Sequence, residues 1–207
     1  TGLLGITITG DAFNVFVFLE ISSLSSYVLI AMGNDRRALT AAFQYLIMGT
    51  IGATFILIGV GLMYALTGTL NMLDLAERLP AVAGTRTARA AFAFLTVGVG
   101  LKIAIFPLHL WLPNAYAFAP SAVSAFLAAT ATKVAVYVLL RFIFSVFGSD
   151  FALGTAAGTA RLAIGLAVLG AVAVLAASTV AIFQHNIKRM LAYRSEEHTS
   201  ELQSQFR

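Results

Sequence analysis

The chain has 207 residues, 59% hydrophobic and 11% charged, with a net charge of +4 and a mean hydropathy of +0.90. Soluble domains are about 45–50% apolar and about 25% charged, so this composition excludes a disordered chain, a basic nucleic-acid-binding face and an ordinary soluble enzyme. Cysteine is absent, which removes disulfides, thiolate metal sites and iron–sulfur ligation.

The apolar residues are also concentrated. No charged residue stands between Arg37 and Asp74, a stretch far longer than the ~20 residues with which a helix crosses a bilayer. The chain therefore reads as an all-α, polytopic transmembrane helix bundle. Residues 1–9 are expected to be the last turns of a helix that Gly10 ends, the sequence opening as a fragment in mid-helix. The first complete span is predicted over 11–32, stopping at Gly33-Asn34-Asp35-Arg36-Arg37. The second is predicted over 39–66, where Gly49, Gly52, Gly59 and Gly61 point to close helix packing. Segment 71–79 has apolar and charged faces at helical spacing, as an interfacial helix would, and Pro80 is expected to end it.

The third span is predicted to begin near Arg89 and carries Gly98, Gly100 and Lys102. Pro107, Pro113 and Pro120 then follow within 14 residues, which forbids one unkinked helix. Backbone interrupted at membrane depth survives only against protein or water. Fourth and fifth spans are predicted over 121–147 and 159–184, before a turn at His185-Asn186 and the stub of another helix over 187–193. Arg36 and Arg37 fall on the same side as Lys188 and Arg189, which is assigned to the cytoplasm. Residues 194–207 change abruptly to RSEEHTSELQSQFR, and the run from Arg194 to Ser204 resembles the translation of a short-read sequencing adapter. That segment is set aside as non-native, leaving 1–193 as a partial transporter domain of about five full spans with partial end helices.

Three ionisable residues, Glu20, Lys102 and Lys133, fall well inside spans, where a charge costs roughly 2.5–3.5 kcal/mol on insertion scales. Such groups persist when they face a bundle interior, pair with each other or line an ion path. Ser23 lies one turn from Glu20 and Tyr27 two turns away, with Ser22, Ser25 and Ser26 nearby; their hydroxyls can donate to a carboxylate or hold water. Thr130, Lys133, Tyr137 and Arg141 form one polar stripe on the fourth span. Lys102 precedes the Pro107 break, where freed carbonyls can solvate an ammonium. Desolvation and a neighbouring carboxylate act in opposite directions on a lysine's proton affinity, so a buried lysine whose partner moves can release its proton. His109, beside Trp111 in the broken segment, is a further candidate for proton handling. His185 and Asp11 read as hydrogen-bonding groups near span ends. No Gly-rich phosphate loop or metal-ligand spacing occurs, so neither a cofactor nor a metal is expected. A non-conducting structural subunit, its charges only locking helices together, is the other reading of the same residues.

Four segments carry a resemblance: GDAFNVFVFLEISSLSSYVLI (10–30), KIAIFPLHLWLPNAYAFAPSAV (102–123), ATKVAVYVLLRF (131–142) and NIKRMLAY (186–193). They resemble the antiporter-like membrane subunit family, which includes the D-type subunit of Mrp-type cation/proton antiporters and the L-, M- and N-type subunits of respiratory complex I. The wording of NAYAFAPSAV and EISSLSSY is closer to the Mrp D-type subunit. The resemblance implies a fragment of an inverted-repeat transporter fold with one proline-broken helix per repeat. It implies that Glu20 is the family's essential glutamate, Lys102 the lysine before the break, Lys133 the lysine leading toward the central axis, and His109 the histidine of the broken helix. It further implies a proton-translocating, multi-pass subunit of an Mrp-type monovalent cation/proton antiporter in the bacterial inner (plasma) membrane. Such a protein is partnered by other membrane subunits of a hetero-oligomeric complex and has no catalytic chemistry of its own. The alternative within the family is a proton-pumping subunit of NADH-quinone oxidoreductase or a membrane hydrogenase, a translocase through its partners' redox reaction.

Overall fold

Several helix starts in this chain are set by short polar caps. A short α1 spans Gly2–Ile8. Asp11 then opens α2, Ala12–Ala31, by accepting a 2.8 Å hydrogen bond from the Asn14 N–H, which satisfies one of the amides left unpaired at a helix N-terminus. Asp35 does the same for α3, Arg36–Thr67, accepting from the Arg37 N–H at 3.0 Å. Asn71 caps α4, Met72–Val82, through the Leu73 N–H at 2.9 Å. There follow α5 at Arg86–Ile103, α6 at Trp111–Phe118 and α7 at Ser121–Leu140, which continues as a π-helical segment over Arg141–Phe147.

The computed structural model describes residues 1–109, 111–148, 168, 170–176, 178–180 and 183. Most of the predicted fifth span, together with His185, Lys188, Arg189 and the segment 194–207, lies outside the described residues. Among the described residues the only β pairing is an isolated bridge between Asp11 and Asn71, which ties the starts of α2 and α4. Ala12–Ala31, Arg36–Thr67 and Ser121–Phe147 are long and apolar enough to cross a membrane. On α2 large apolar side chains face outward: Ile21, Leu24 and Val28 are 42%, 56% and 65% exposed. Large apolar side chains turned outward suit lipid or neighbouring subunits rather than water.

Two prolines depart from expectation. Pro80 does not end α4, which runs on to Val82. Within a helix a proline loses its own N–H bond and crowds the carbonyl four residues back, yet this close to the C-terminus α4 still closes its last turn, the Ala83 N–H donating to the Pro80 carbonyl at 3.4 Å. Pro113, expected as a helix break, sits in the first turn of α6, where its missing N–H has no intrahelical acceptor to lose. Pro107 lies in the irregular segment between α5 and α6, and Pro120 between α6 and α7.

The described chain divides into two units. The first holds 1–22, 50–100 and 134–148. Here α3 and α5 meet closely: a Cβ on Gly98 would stand 2.7 Å from the Gly52 carbonyl oxygen, and one on Gly59 would meet Leu95 and Ala91. Gly61 has no such neighbour, so its expected packing role is not found. The interfacial α4 buries Met72, Leu75 and Leu79 and packs against the π-helical segment. Arg141 and Tyr137 donate to the carbonyls of Ile6 and Thr7 at 3.4 and 3.5 Å, groups left over at the C-terminus of α1 and favourable to a cation.

The second unit contains 23–49 and 101–133. Its core is an aromatic cluster. Tyr45 stacks on Trp111 with ring centroids 4.5 Å apart and planes 9° from parallel, and Tyr27 meets Tyr45 edge-on at 4.9 Å. All three are buried, with Ile30, Leu112 and Leu127 around them. Gly49 leaves the room that the Tyr27 hydroxyl fills.

Candidate functional site

Lys102 falls in the last turn of α5 and is only 8% exposed. Its Nζ donates to Ser23 Oγ at 2.7 Å, and Ser23 is itself buried. A buried ammonium needs hydrogen-bond acceptors and a favourable field. Ser23 supplies the first, and the carbonyl end of α5 the second. Just beyond, Ala104 takes a left-handed conformation, φ +64°, which costs a non-glycine residue about 1–2 kcal/mol. That turn ends α5 two residues past Lys102 and begins the irregular segment.

His109 lies in this segment, half-buried, with its ring stacked at 5.4 Å on Phe106. The His109 carbonyl accepts from the Leu112 N–H at 2.9 Å, so His109, two residues before α6, also anchors its first turn. Glu20 is half-buried on α2, one helical turn before Ser23. On the same helix Ser26 and Tyr27 are buried. Lys133 is half-buried on α7, and no hydrogen bond among the described residues joins it to Lys102. The Thr130 hydroxyl bonds back to the Phe126 carbonyl at 2.7 Å. Tyr137 is 40% exposed and faces Thr7 as described above. The structure thus joins Lys102 to Ser23, while the far half of the predicted stripe attends to α1.

Buried groups not singled out from sequence are Tyr45, Tyr116 and Thr132. The Tyr116 phenol lies beside the Thr132 hydroxyl, the residue next to Lys133. The only signal along the chain was a tyrosine or threonine within an apolar span, but such residues serve equally as interface or core groups. Among the described residues no cluster of three His, Asp or Glu side chains converges on a point where a metal ion could bind.

An apolar helical bundle with a buried lysine at the end of a broken helix defines an integral membrane protein of the broken-helix class. Residues 9–201 match the family model described as "NADH:quinone oxidoreductase/Mrp antiporter, TM", and the chain belongs to that family. It is 48% identical over 194 residues to the N-type subunit of NADH-quinone oxidoreductase from Desulforudis audaxviator, covering 94% of this chain and 37% of that protein. It is 37% identical over 151 residues to the D-type subunit of the Na(+)/H(+) antiporter from Bacillus subtilis, covering 73% of this chain and 31% of that protein. Among solved structures it superposes on a chain of the archaeal membrane-bound sulfane sulfur reductase, a respiratory membrane complex, with a TM-score of 0.87 and 32% identity, over 98% of this chain and 40% of the other. The chain spans 37% and 31% of the length of the two relatives. Both branches named by the sequence resemblance are therefore represented, the oxidoreductase relative at higher identity than the antiporter relative.

Proposed function

We propose that this chain is the part of an antiporter-like membrane subunit that binds and passes on protons. The observation that carries the reading is the buried Lys102 ammonium hydrogen-bonded to Ser23, one helical turn from Glu20. In this reading the Glu20 carboxylate serves as the counter-charge of the Lys102 ammonium. When Glu20 is protonated or turns away, the lysine loses its counter-charge and its proton becomes easier to release. Ser23 holds the ammonium in place through that change. The proton passes toward Lys133, and His109 in the broken segment exchanges protons with Lys102's side of the path. In an Mrp-type complex this movement is coupled to a monovalent cation. The 48% identity to an oxidoreductase N-type subunit favours a second setting, in which a quinone-reducing partner drives the same residues.

The test uses the full-length subunit in its complex, reconstituted in vesicles with an internal pH dye. Glu20→Ala and Lys102→Ala each abolish proton movement while the complex still assembles. Near-normal transport by assembled Glu20→Ala overturns the reading, and intact transport by the double replacement establishes a purely structural role for the pair. Driving the vesicles with a sodium gradient or with a quinone reductant separates the two settings.

A further inference from the structure

The second unit carries a polar cleft that the proton path does not use. The first turns of α3 and one face of α6 enclose a volume of ≈ 220 Å³ lined by Arg37, Thr40, Ala41, Gln44, Asn114 and Phe118. The spacing explains the grouping, because 37, 40, 41 and 44 share one face of α3, and 114 and 118 are one turn apart on α6. No carboxylate lines the cleft, and Arg37 forms no ion pair with any described residue. Asp35, two residues before Arg37, is turned to the Arg37 backbone N–H as the cap of α3.

The cleft is shaped around that arginine. Its guanidinium lies over the Phe118 ring at 5.9 Å, which holds the group by one face and leaves its N–H edge available. Asn114 Nδ2 donates to Gln44 Oε1 at 3.2 Å, and this bond turns the Gln44 amide nitrogen out as a further donor. The Thr40 hydroxyl is a third. A fixed positive charge with neutral donors and no acid is complementary to a phosphate group.

Position identifies the source. The cleft opens at the end of the membrane-crossing helix Arg36–Thr67, and Phe43 and Ile47 continue down the adjoining face of that helix, 60% and 43% exposed. A polar head beside a basic cleft and an acyl chain along these side chains is the geometry of a bound lipid. We infer that the cleft binds the phosphodiester headgroup of an anionic phospholipid, with Arg37 on the phosphate and Thr40 and Gln44 on its oxygens.

The experiment is native mass spectrometry of the full-length subunit in its complex, titrated with phosphatidylglycerol or phosphatidylcholine. Phosphatidylglycerol is retained preferentially, and Arg37→Gln weakens its retention about fivefold, the effect expected of one basic side chain at a lipid surface. Gln44→Leu, which leaves every charge in place, weakens it as well and covers the case in which the arginine variant assembles poorly. Equal retention of the two lipids, or unchanged retention in both variants, overturns the proposal. Displacement of the lipid by millimolar inorganic phosphate shows that the occupant is a free anion and overturns the lipid assignment.

Discussion

Lys102 and Ser23 are 79 residues apart along the chain, and their side chains meet at 2.7 Å. The contact joins the last turn of the broken helix's first half to the middle of α2, and it is made between two buried groups. A hydrogen bond to an ionised group contributes about 1.5–3 kcal/mol, enough to fix where the ammonium stands.

Replacing Ser23 tests that positioning role. Ser23→Ala in the full-length subunit is expected to slow proton movement about tenfold, the kinetic equivalent of about 1.4 kcal/mol, with assembly retained. Ser23→Thr, which keeps the hydroxyl, restores most of the rate. Equal fluxes for wild type and Ser23→Ala would show that the contact is incidental.

The α3–α5 crossing gives a paired prediction. Gly98→Ala places a methyl group 2.7 Å from the Gly52 carbonyl oxygen and 2.8 Å from the Ile56 N, both backbone atoms that cannot swing aside. Overpacking of this kind costs about 1–3 kcal/mol, read as a lower melting temperature in detergent. Gly61→Ala, which meets nothing within 4 Å, is expected to melt with or slightly above the wild type.

The Tyr45–Trp111 stack can be followed directly, since Trp111 is the single tryptophan among the 207 residues. Trp111→Ala is expected to destabilise the second unit by about 3–5 kcal/mol, and Trp111→Phe by less because a ring remains to stack. Tyr45→Ala leaves the indole in place but uncovers one face, so its fluorescence emission moves to longer wavelength. An unshifted spectrum would contradict the stacking.

Pro113 should be replaceable. Because it occupies the first turn of α6 and is buried there, Pro113→Ala is expected to leave the helix intact and to cost only the packing of its ring, about 1 kcal/mol. Introducing proline at Ala115 instead, in the interior of α6 where its N–H faces the Trp111 carbonyl one turn back, should break the helix at a cost of about 3 kcal/mol. Thermal unfolding of the two variants distinguishes a proline that breaks the helix from one that starts it.

Much of this protein was determined by sequence alone. An uncharged stretch from Arg37 to Asp74 has no stable home in water, so the membrane class and the long α2, α3 and α7 follow from hydropathy and caps. The local chemistry of Asp11, Asp35 and Asn71 is legible for the same reason, since a cap acts within three residues. Glu20, Lys102 and Lys133 stand out as candidates because a charge in an apolar span is costly wherever it points. Sequence could not say which of their neighbours each one meets. Helical spacing places Ser23 beside Glu20, and only the fold brings it to Lys102. Tyr137 and Arg141 lie on the stripe with Lys133, yet their donors go to α1, which periodicity does not see. Pro80 and Pro113 misled because a proline's effect depends on its place within a helix rather than on its presence. The Arg37 cleft belongs wholly to tertiary structure: Phe118 and Asn114 reach it from α6, and no local pattern along either helix records the other. Hydropathy and capping act over a few residues, whereas hydrogen bonds between helices depend on side-chain packing that only the folded chain determines.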